Sequence, residues 1–295
     1  MSKNKENIPK LFSSDSDHKK ILEFRSKNPV DFSKFDLKKY EFNYLPLVTS
    51  RGCMRRCLFC NNLKIQKLFS IRDPKDVFKE MKYLYEKYKL KTFTLYDLLI
   101  NADLDKLEEL CDLIIDSELE IYWDGQMIIK DMSQELFYKL KKSGFTHARF
   151  GFETASAKVL SLMNKPHDAE LAKDLFIKAK KADLNVMINI LVGLPGEGRT
   201  EFNESVRFIK ENYRLIDGIE NLNTYVLIKG SLLDKLKDKF NITQTTDEYY
   251  DPFWFDDKGN KYKIRFKRYK KMKRLLKKLN KKVYVTNTYW KKLIR

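Results

Sequence analysis

The sequence predicts an α/β fold, a partial TIM-like (β/α)6 barrel followed by a basic helical C-terminal extension. Three observations carry that expectation. Short apolar runs alternate with helix-period segments from about residue 45 to residue 235, which implies a mainly parallel sheet flanked by helices. Six such units fall short of the eight that close a full barrel. The chemically unusual residues, among them Cys53, Cys57, Cys60, Asp97, Asp124, Gln126, Glu153 and Gly193, all follow the ends of the predicted strands, and a βα barrel collects its reactive groups there. With 295 residues and 43% hydrophobic content the chain has the material for one large core with appendages.

Residues 1–44 are polar and without a long period, and are expected to form an N-terminal connector. Asn28-Pro29 marks extended chain, because the residue before proline is biased away from helix. The polar start gives no sign of a signal peptide, and no run approaches the eighteen apolar residues of a membrane span. With its few, clustered cysteines the chain is expected in a reducing cytoplasm.

The core is expected over 45–240. Tyr44 to Ser50 reads as strand one and leads through Arg51-Gly52 into the cysteine loop. Asp73-Pro74 is an N-cap with proline at the first helical position, and Val77, Met81, Leu84 and Tyr88 continue at helical spacing. Lys91–Tyr96 is strand two, ending at Asp97. Leu104, Leu107, Cys111 and Ile114 mark the next helix and put Cys111 on its apolar face. Glu120–Trp123 is strand three, before Asp124-Gly125-Gln126. Leu136, Phe137 and Leu140 mark a helix that stops near Gly144. Thr146–Phe152 is strand four, ending in Glu153-Thr154. Helical periods follow at 156–163 and 168–182. Asn185–Val192 is strand five, closed by Gly193-Leu194-Pro195-Gly196, and a helix runs from about Thr200 to Tyr213. Ile219–Ile228 is strand six.

Residues 241–295 are read as a basic, aromatic extension. Residues 258–282 hold fourteen Lys and Arg and no acid, which leaves +4 of the net +18 for the rest of the chain. Tyr269, Met272, Leu276, Leu279 and Val283 recur at 3–4–3–4 spacing, which predicts a basic amphipathic helix. It either docks on the barrel with a solvated lysine face or offers RNA or another anionic partner a surface. Tyr249, Tyr250, Phe253, Trp254 and Phe255 precede it, placed to cap the barrel mouth or line a substrate pocket.

The chemistry gathers at Cys53-Met54-Arg55-Arg56-Cys57-Leu58-Phe59-Cys60, with three of the four cysteines in eight residues. Such clustering points to metal binding, and thiolates suit zinc or iron–sulfur clusters. A structural zinc site takes four ligands, and no histidine lies near these three. A zinc- and nucleic-acid-binding protein without catalysis is the alternative from another class.

The C-x3-C-x2-C spacing with an aromatic before the last cysteine resembles the radical S-adenosylmethionine (SAM) superfamily. The resemblance covers about residues 45–235. It implies that Cys53, Cys57 and Cys60 hold an oxygen-sensitive 4Fe–4S cluster whose open iron binds SAM. It also implies reductive cleavage of SAM, by way of an external electron donor such as flavodoxin or ferredoxin, to a 5′-deoxyadenosyl radical. The segment from Phe150 to Lys165 is similar to one shared by cobalamin-related members, in which the residue matching Glu153 contacts the SAM ribose. The resemblance further implies adenine contacts for Phe59 and Leu191, a SAM contact for Gly193, and a SAM-amino contact for Asp97 where relatives carry Gly-Gly-Glu. Asn189, polar on an apolar strand, needs a partner and joins this SAM-binding set. The chain departs from the family pattern around Gly193, where two residues appear inserted before Thr200. Residues 30–37 resemble the linker of cobalamin-dependent members, so the barrel half of a split cobalamin-dependent methyltransferase is a second expectation. No cobalamin domain is expected in the 44 residues before the barrel.

Overall fold

The structure is a computed structural model that describes residues 32–35, 44–62 and 69–286. Most of the expected connector lies outside the described residues. Seven parallel strands form one sheet in sequential order: β1 (Leu45–Leu47), β2 (Thr92–Leu95), β3 (Tyr122–Met127), β4 (Phe145–Glu153), β5 (Asn185–Val192), β6 (Gly218–Thr224) and β7 (Lys282–Thr286). The order never reverses, as in a barrel and unlike a doubly wound sheet. β1 and β7 are its two edges, so the barrel is partial, as expected, with seven strands where six were read.

Helices connect the strands: α1 (Pro74–Tyr88), α2 (Leu104–Asp116), α3 (Gln134–Lys142), α4 (Ala157–Leu162), α5 (Ala169–Lys181), α6 (Arg199–Asn212), the short α7 (Leu232–Lys235) and α8 (Tyr262–Lys278). Their starts are written in the sequence. Asp73, Asp103, Ser133 and Asp168 each accept a hydrogen bond from a backbone amide of the first turn, satisfying donors a helix leaves unpaired.

The two faces of the sheet differ. Phe93, Trp123, Ala148, Phe150, Phe152, Val186, Ile188 and Ile219 point outward and are completely buried under the helices. Each large one contributes roughly 1.5–3 kcal/mol. Their strand neighbours Thr94, Asp124, Gln126, Arg149, Gly151 and Asn189 point inward and stay half-buried. The lumen is therefore polar. Arg149 crosses it to pair with Asp124 and, at 3.3 Å, with Glu220.

The structure corrects three sequence expectations. Strand three runs on through Asp124-Gly125-Gln126 to Met127, so Asp124 and Gln126 lie within it and face the lumen. Strand six stops at Thr224, and Leu227–Ile228 pairs instead with Tyr250–Asp251. The basic helix ends at Lys278, and Val283 lies in β7, pairing with Ile219. Arg72 is buried on Glu80 at 2.7 Å and donates to the Val48 carbonyl. Cys111 is fully buried on α2, as its spacing predicts, and burial pushes its thiol up to about 12.

Candidate functional site

The cysteine loop begins where β1 ends. Ser50–Arg51 pairs antiparallel with Ser70–Ile71 and pinches its base. Asp97, two residues past β2, fixes this junction. Its carboxylate accepts from the Thr49 amide and hydroxyl at 3.0–3.1 Å and from the Ser50 amide and hydroxyl. Burial pushes this carboxyl up, and the Ser50 and Thr49 donors pull it back. Asp97 thus touches the pocket wall while most of its accepting capacity is spent on the chain that enters the loop.

The far side of the loop rests on a second apolar cluster around Val159, Met163, Leu194, Tyr225, Leu233 and Trp254, against which Leu58, Phe59 and Leu191 pack. The Leu58 amide donates to Met163 O at 3.0 Å, the Leu233 amide donates to Leu58 O at 2.9 Å, and Asn164 Nδ2 holds Arg56 O at 3.0 Å. Asn61 Nδ2 donates to the Tyr249 hydroxyl at 2.7 Å. Of the expected aromatic cap, Trp254 is fully buried in this second core, while Tyr249, Tyr250, Phe253 and Phe255 remain partly exposed.

Cys53, Cys57, Cys60, Phe59, Glu153 and Asn189 line one open pocket of ≈ 280 Å³ at the C-terminal ends of the strands. Burial pushes all three loop thiols up, Cys57 to about 11. The Arg55 amide and the Arg55 and Arg56 charges pull Cys53 back, and Lys165 does the same for Cys57. A thiol must lose its proton to ligate a metal, so binding here is linked to proton release. Three soft donors from one loop line one pocket, a donor set of the kind that holds an iron–sulfur cluster.

Glu153 reaches the pocket through a local irregularity. The β4–β5 register slips between Phe150 and Glu153, and Glu153 has φ +67°. Bulges of this kind re-aim side chains beside functional sites, and a non-glycine residue at positive φ is uncommon enough to mark one. Glu153 Oε1 accepts from Lys165 Nζ at 3.0 Å, which also donates to Gly151 O at 2.6 Å and stands 5.7 Å from the Phe59 ring centre. A β-carbon at Gly151 would lie 3.2 Å from that ammonium and 3.4 Å from Glu153 Oε1, in close contact with the pair. Asn189 finds its partner in Asn221, whose Nδ2 donates to Asn189 Oδ1 at 2.8 Å.

Leu191 and Gly193 stand behind the pocket. Leu191 is half-buried in the second core. Gly193, with φ +80°, donates to Glu197 Oε1 at 3.0 Å and accepts from Asn260 Nδ2 at 3.2 Å, and a β-carbon there would lie 2.4 Å from the Arg265 side chain. The pocket also contains residues that the sequence reading did not single out: Lys165 and His167, whose ring is held neutral by burial at about 4 and whose Nε2 is buried without a partner.

A family model for the radical SAM superfamily matches residues 47–209. The chain is 25% identical over 179 residues to an uncharacterized methyltransferase of Pyrococcus horikoshii, covering 59% of this chain and 39% of that protein. It is 27% identical over 168 residues to the anaerobic magnesium-protoporphyrin IX monomethyl ester cyclase of Rubrivivax gelatinosus, covering 56% of this chain and 29% of that one. The chain thus spans less than half the length of either relative. Its fold is similar to that of TsrM from Kitasatospora setae, a radical SAM methyltransferase with cobalamin and a 4Fe–4S cluster bound, at TM-score 0.60 and 14% identity over 69% of this chain and 40% of that one. The matched region opens at β1, contains the cysteine loop and closes within α6, more than half of the sequence; on that match the chain belongs to the radical SAM superfamily.

Proposed function

We propose that the chain is a radical SAM enzyme in which Cys53, Cys57 and Cys60 hold a 4Fe–4S cluster and the adjoining pocket takes SAM. One observation carries this reading: the three loop thiols share a pocket with Glu153 and Asn189, while the fourth cysteine is buried in the core. When bound, cluster and SAM supply a 5′-deoxyadenosyl radical that abstracts hydrogen from a substrate, with the electron drawn from an external donor such as flavodoxin or ferredoxin. The chain's own residues bind and orient. Glu153 keeps one carboxylate oxygen on Lys165 and offers the other to ribose hydroxyls. Phe59 presents its ring and backbone to adenine, with Leu191 and Gly193 shaping the wall behind, and Asn189 marks the lumen side. Asp97 holds the loop entrance in register. The basic face of residues 258–282 serves RNA or another anionic partner.

Anaerobic reconstitution tests the assignment. The protein is expected to bind about four irons. Cys53→Ala, Cys57→Ala and Cys60→Ala are expected to lose them, and Cys111→Ala to keep them. A full complement of iron in all three loop variants overturns the reading. The relationship to a methyltransferase supports a second reading, the barrel half of a split cobalamin-dependent methyltransferase. The products separate the two. Release of 5′-deoxyadenosine by the chain alone supports the first, and a requirement for a cobalamin-carrying partner supports the second.

A further inference from the structure

A groove of ≈ 640 Å³ runs between α6 and α8 on the helical outside of the barrel and shares no residue with the cysteine pocket. Arg207 and Lys210 line it from α6, and Lys271, Arg274 and Lys278 from α8. Its floor is Val206 and Leu275, and no acid or aromatic side chain lines it. Lys271 donates to Asn203 Oδ1 at 3.2 Å. Asn203 is uncharged, and none of the five cations forms an ion pair among the described residues. Some surface lysines elsewhere are paired, among them Lys139 with Glu108 and Asp112, Lys141 with Asp183 and Lys180 with Asp217.

The arrangement selects among anions. Lys271 and Lys278 stand seven residues apart with Arg274 between them, about 10 Å of rise, and Arg207 and Lys210 face them one turn apart. A lone phosphate would engage one end of such a double row, whereas a run of charges fills it. A flat bilayer cannot enter a concave groove to reach its apolar floor. With no aromatic platform, bases have nothing to stack on. We propose that this groove binds the phosphodiester backbone of a single nucleic-acid strand without reading its bases. The inference rests on the reading of residues 258–282 as a surface for an anionic partner, narrows that surface to one flank of α8, and adds Arg207 and Lys210 from outside it.

The test is fluorescence anisotropy of the full chain with labelled oligouridine RNA and oligothymidine DNA. With four phosphates neutralised, affinity should fall roughly 50-fold between 50 and 200 mM salt, the slope for single strands. R207E/K210E is expected to weaken binding about tenfold or more, beyond its loss of phosphate contacts, because it places two anions in the groove. K273E/K277E makes the same charge change on the opposite, exposed flank of α8 and is expected to cost less than about threefold. Both variants should keep the parent circular dichroism and iron content. If the two variants weaken binding equally, the basic-face reading stands and the groove is wrong. If the chain binds neither strand, both fail. Binding to phosphatidylglycerol vesicles in place of either strand makes the partner a membrane and overturns the proposal. A preference of more than about tenfold between RNA and DNA overturns the claim that only the backbone is bound.

Discussion

Lys165 holds the electrostatic balance of the pocket. Its ammonium satisfies Glu153 and the Gly151 carbonyl, lies near the Phe59 ring and restrains the rise of the Cys57 thiol. The Glu153 side chain is only 13% exposed and Lys165 10%, so removing the cation strands a carboxylate with little water to replace it. Lys165→Met is predicted to destabilise the fold by about 1–3 kcal/mol, measured by urea unfolding. Because both groups are then neutral, adding Glu153→Gln should return most of that loss. A single variant as stable as the parent would show that the pair is idle. Residue type and spacing marked the three cysteines and a strand end marked Glu153, and all four line one pocket. Lys165 and His167 were not marked, because they follow a short helix and reach the pocket only through the chain reversal after β4. Asp97 was legible as an acid at a strand end. Its attachment to Thr49 and Ser50 was not, since that depends on β1 and β2 lying side by side.

At the scale of elements, the β5–α6 connection is clamped by the C-terminal region. Glu197 in this loop is buried, caps the Gly193 amide and pairs with Arg268 of α8 at 3.2 Å. Burial pushes its carboxyl up to about 7, against the pull of Arg268. The folded state therefore holds this proton more tightly than the unfolded chain, whose carboxyl titrates near the ordinary 4.5. Between about pH 4.5 and 7 its contribution falls as pH rises, by up to roughly 3 kcal/mol in total. His167, held down at about 4 from an ordinary 6.5, acts oppositely, gaining stability as pH rises from about 4 to 6.5. The parent curve mixes the two, so the difference between parent and Glu197→Gln is the observable. That difference is expected to slope across pH 4.5–7 and flatten above, and a flat difference throughout would refute the assignment. Most elements were legible from periodicity and caps. Strand three was read short because Asp124-Gly125-Gln126 looks like a turn. Yet Trp123, Gly125 and Met127 keep period two, with Gly125 small because Ile100 packs where its β-carbon would lie. The basic helix was read long because Leu279 and Val283 extend its spacing by accident. Asn280, at φ +54°, was the overlooked stop, since asparagine tolerates the left-handed position that ends helices.

For the molecule as a whole, the basic C-terminal region is part of the barrel's structure. β7 completes the sheet against β6, and α8 buries Tyr269, Met272 and Leu276 in the main core. Arg265 is wholly buried. It donates to the carbonyls of Asn260, Pro252 and Trp254 and lies 4.1 Å from the Trp254 ring centre. Through Trp254 that contact supports the second core, and through the second core it supports Phe59 and the cysteine loop. Deleting everything after Asp257 would thus remove a charged face and also uncover β6, leave Trp254 without its cation and empty the space beside Gly193. Three buried side chains at roughly 1.5–3 kcal/mol each, together with the Arg265 network, approach the whole 5–15 kcal/mol by which a domain is stable. The truncated chain is predicted to lose cooperative unfolding and to bind iron substoichiometrically, so loss of nucleic-acid binding in it would say nothing about the groove. Thermal unfolding followed by near-UV circular dichroism checks this. A truncated chain that melts cooperatively at the parent temperature would make the C-terminal region an appendage after all. In that event the coupling from Arg265 to the cysteine loop would fail with it.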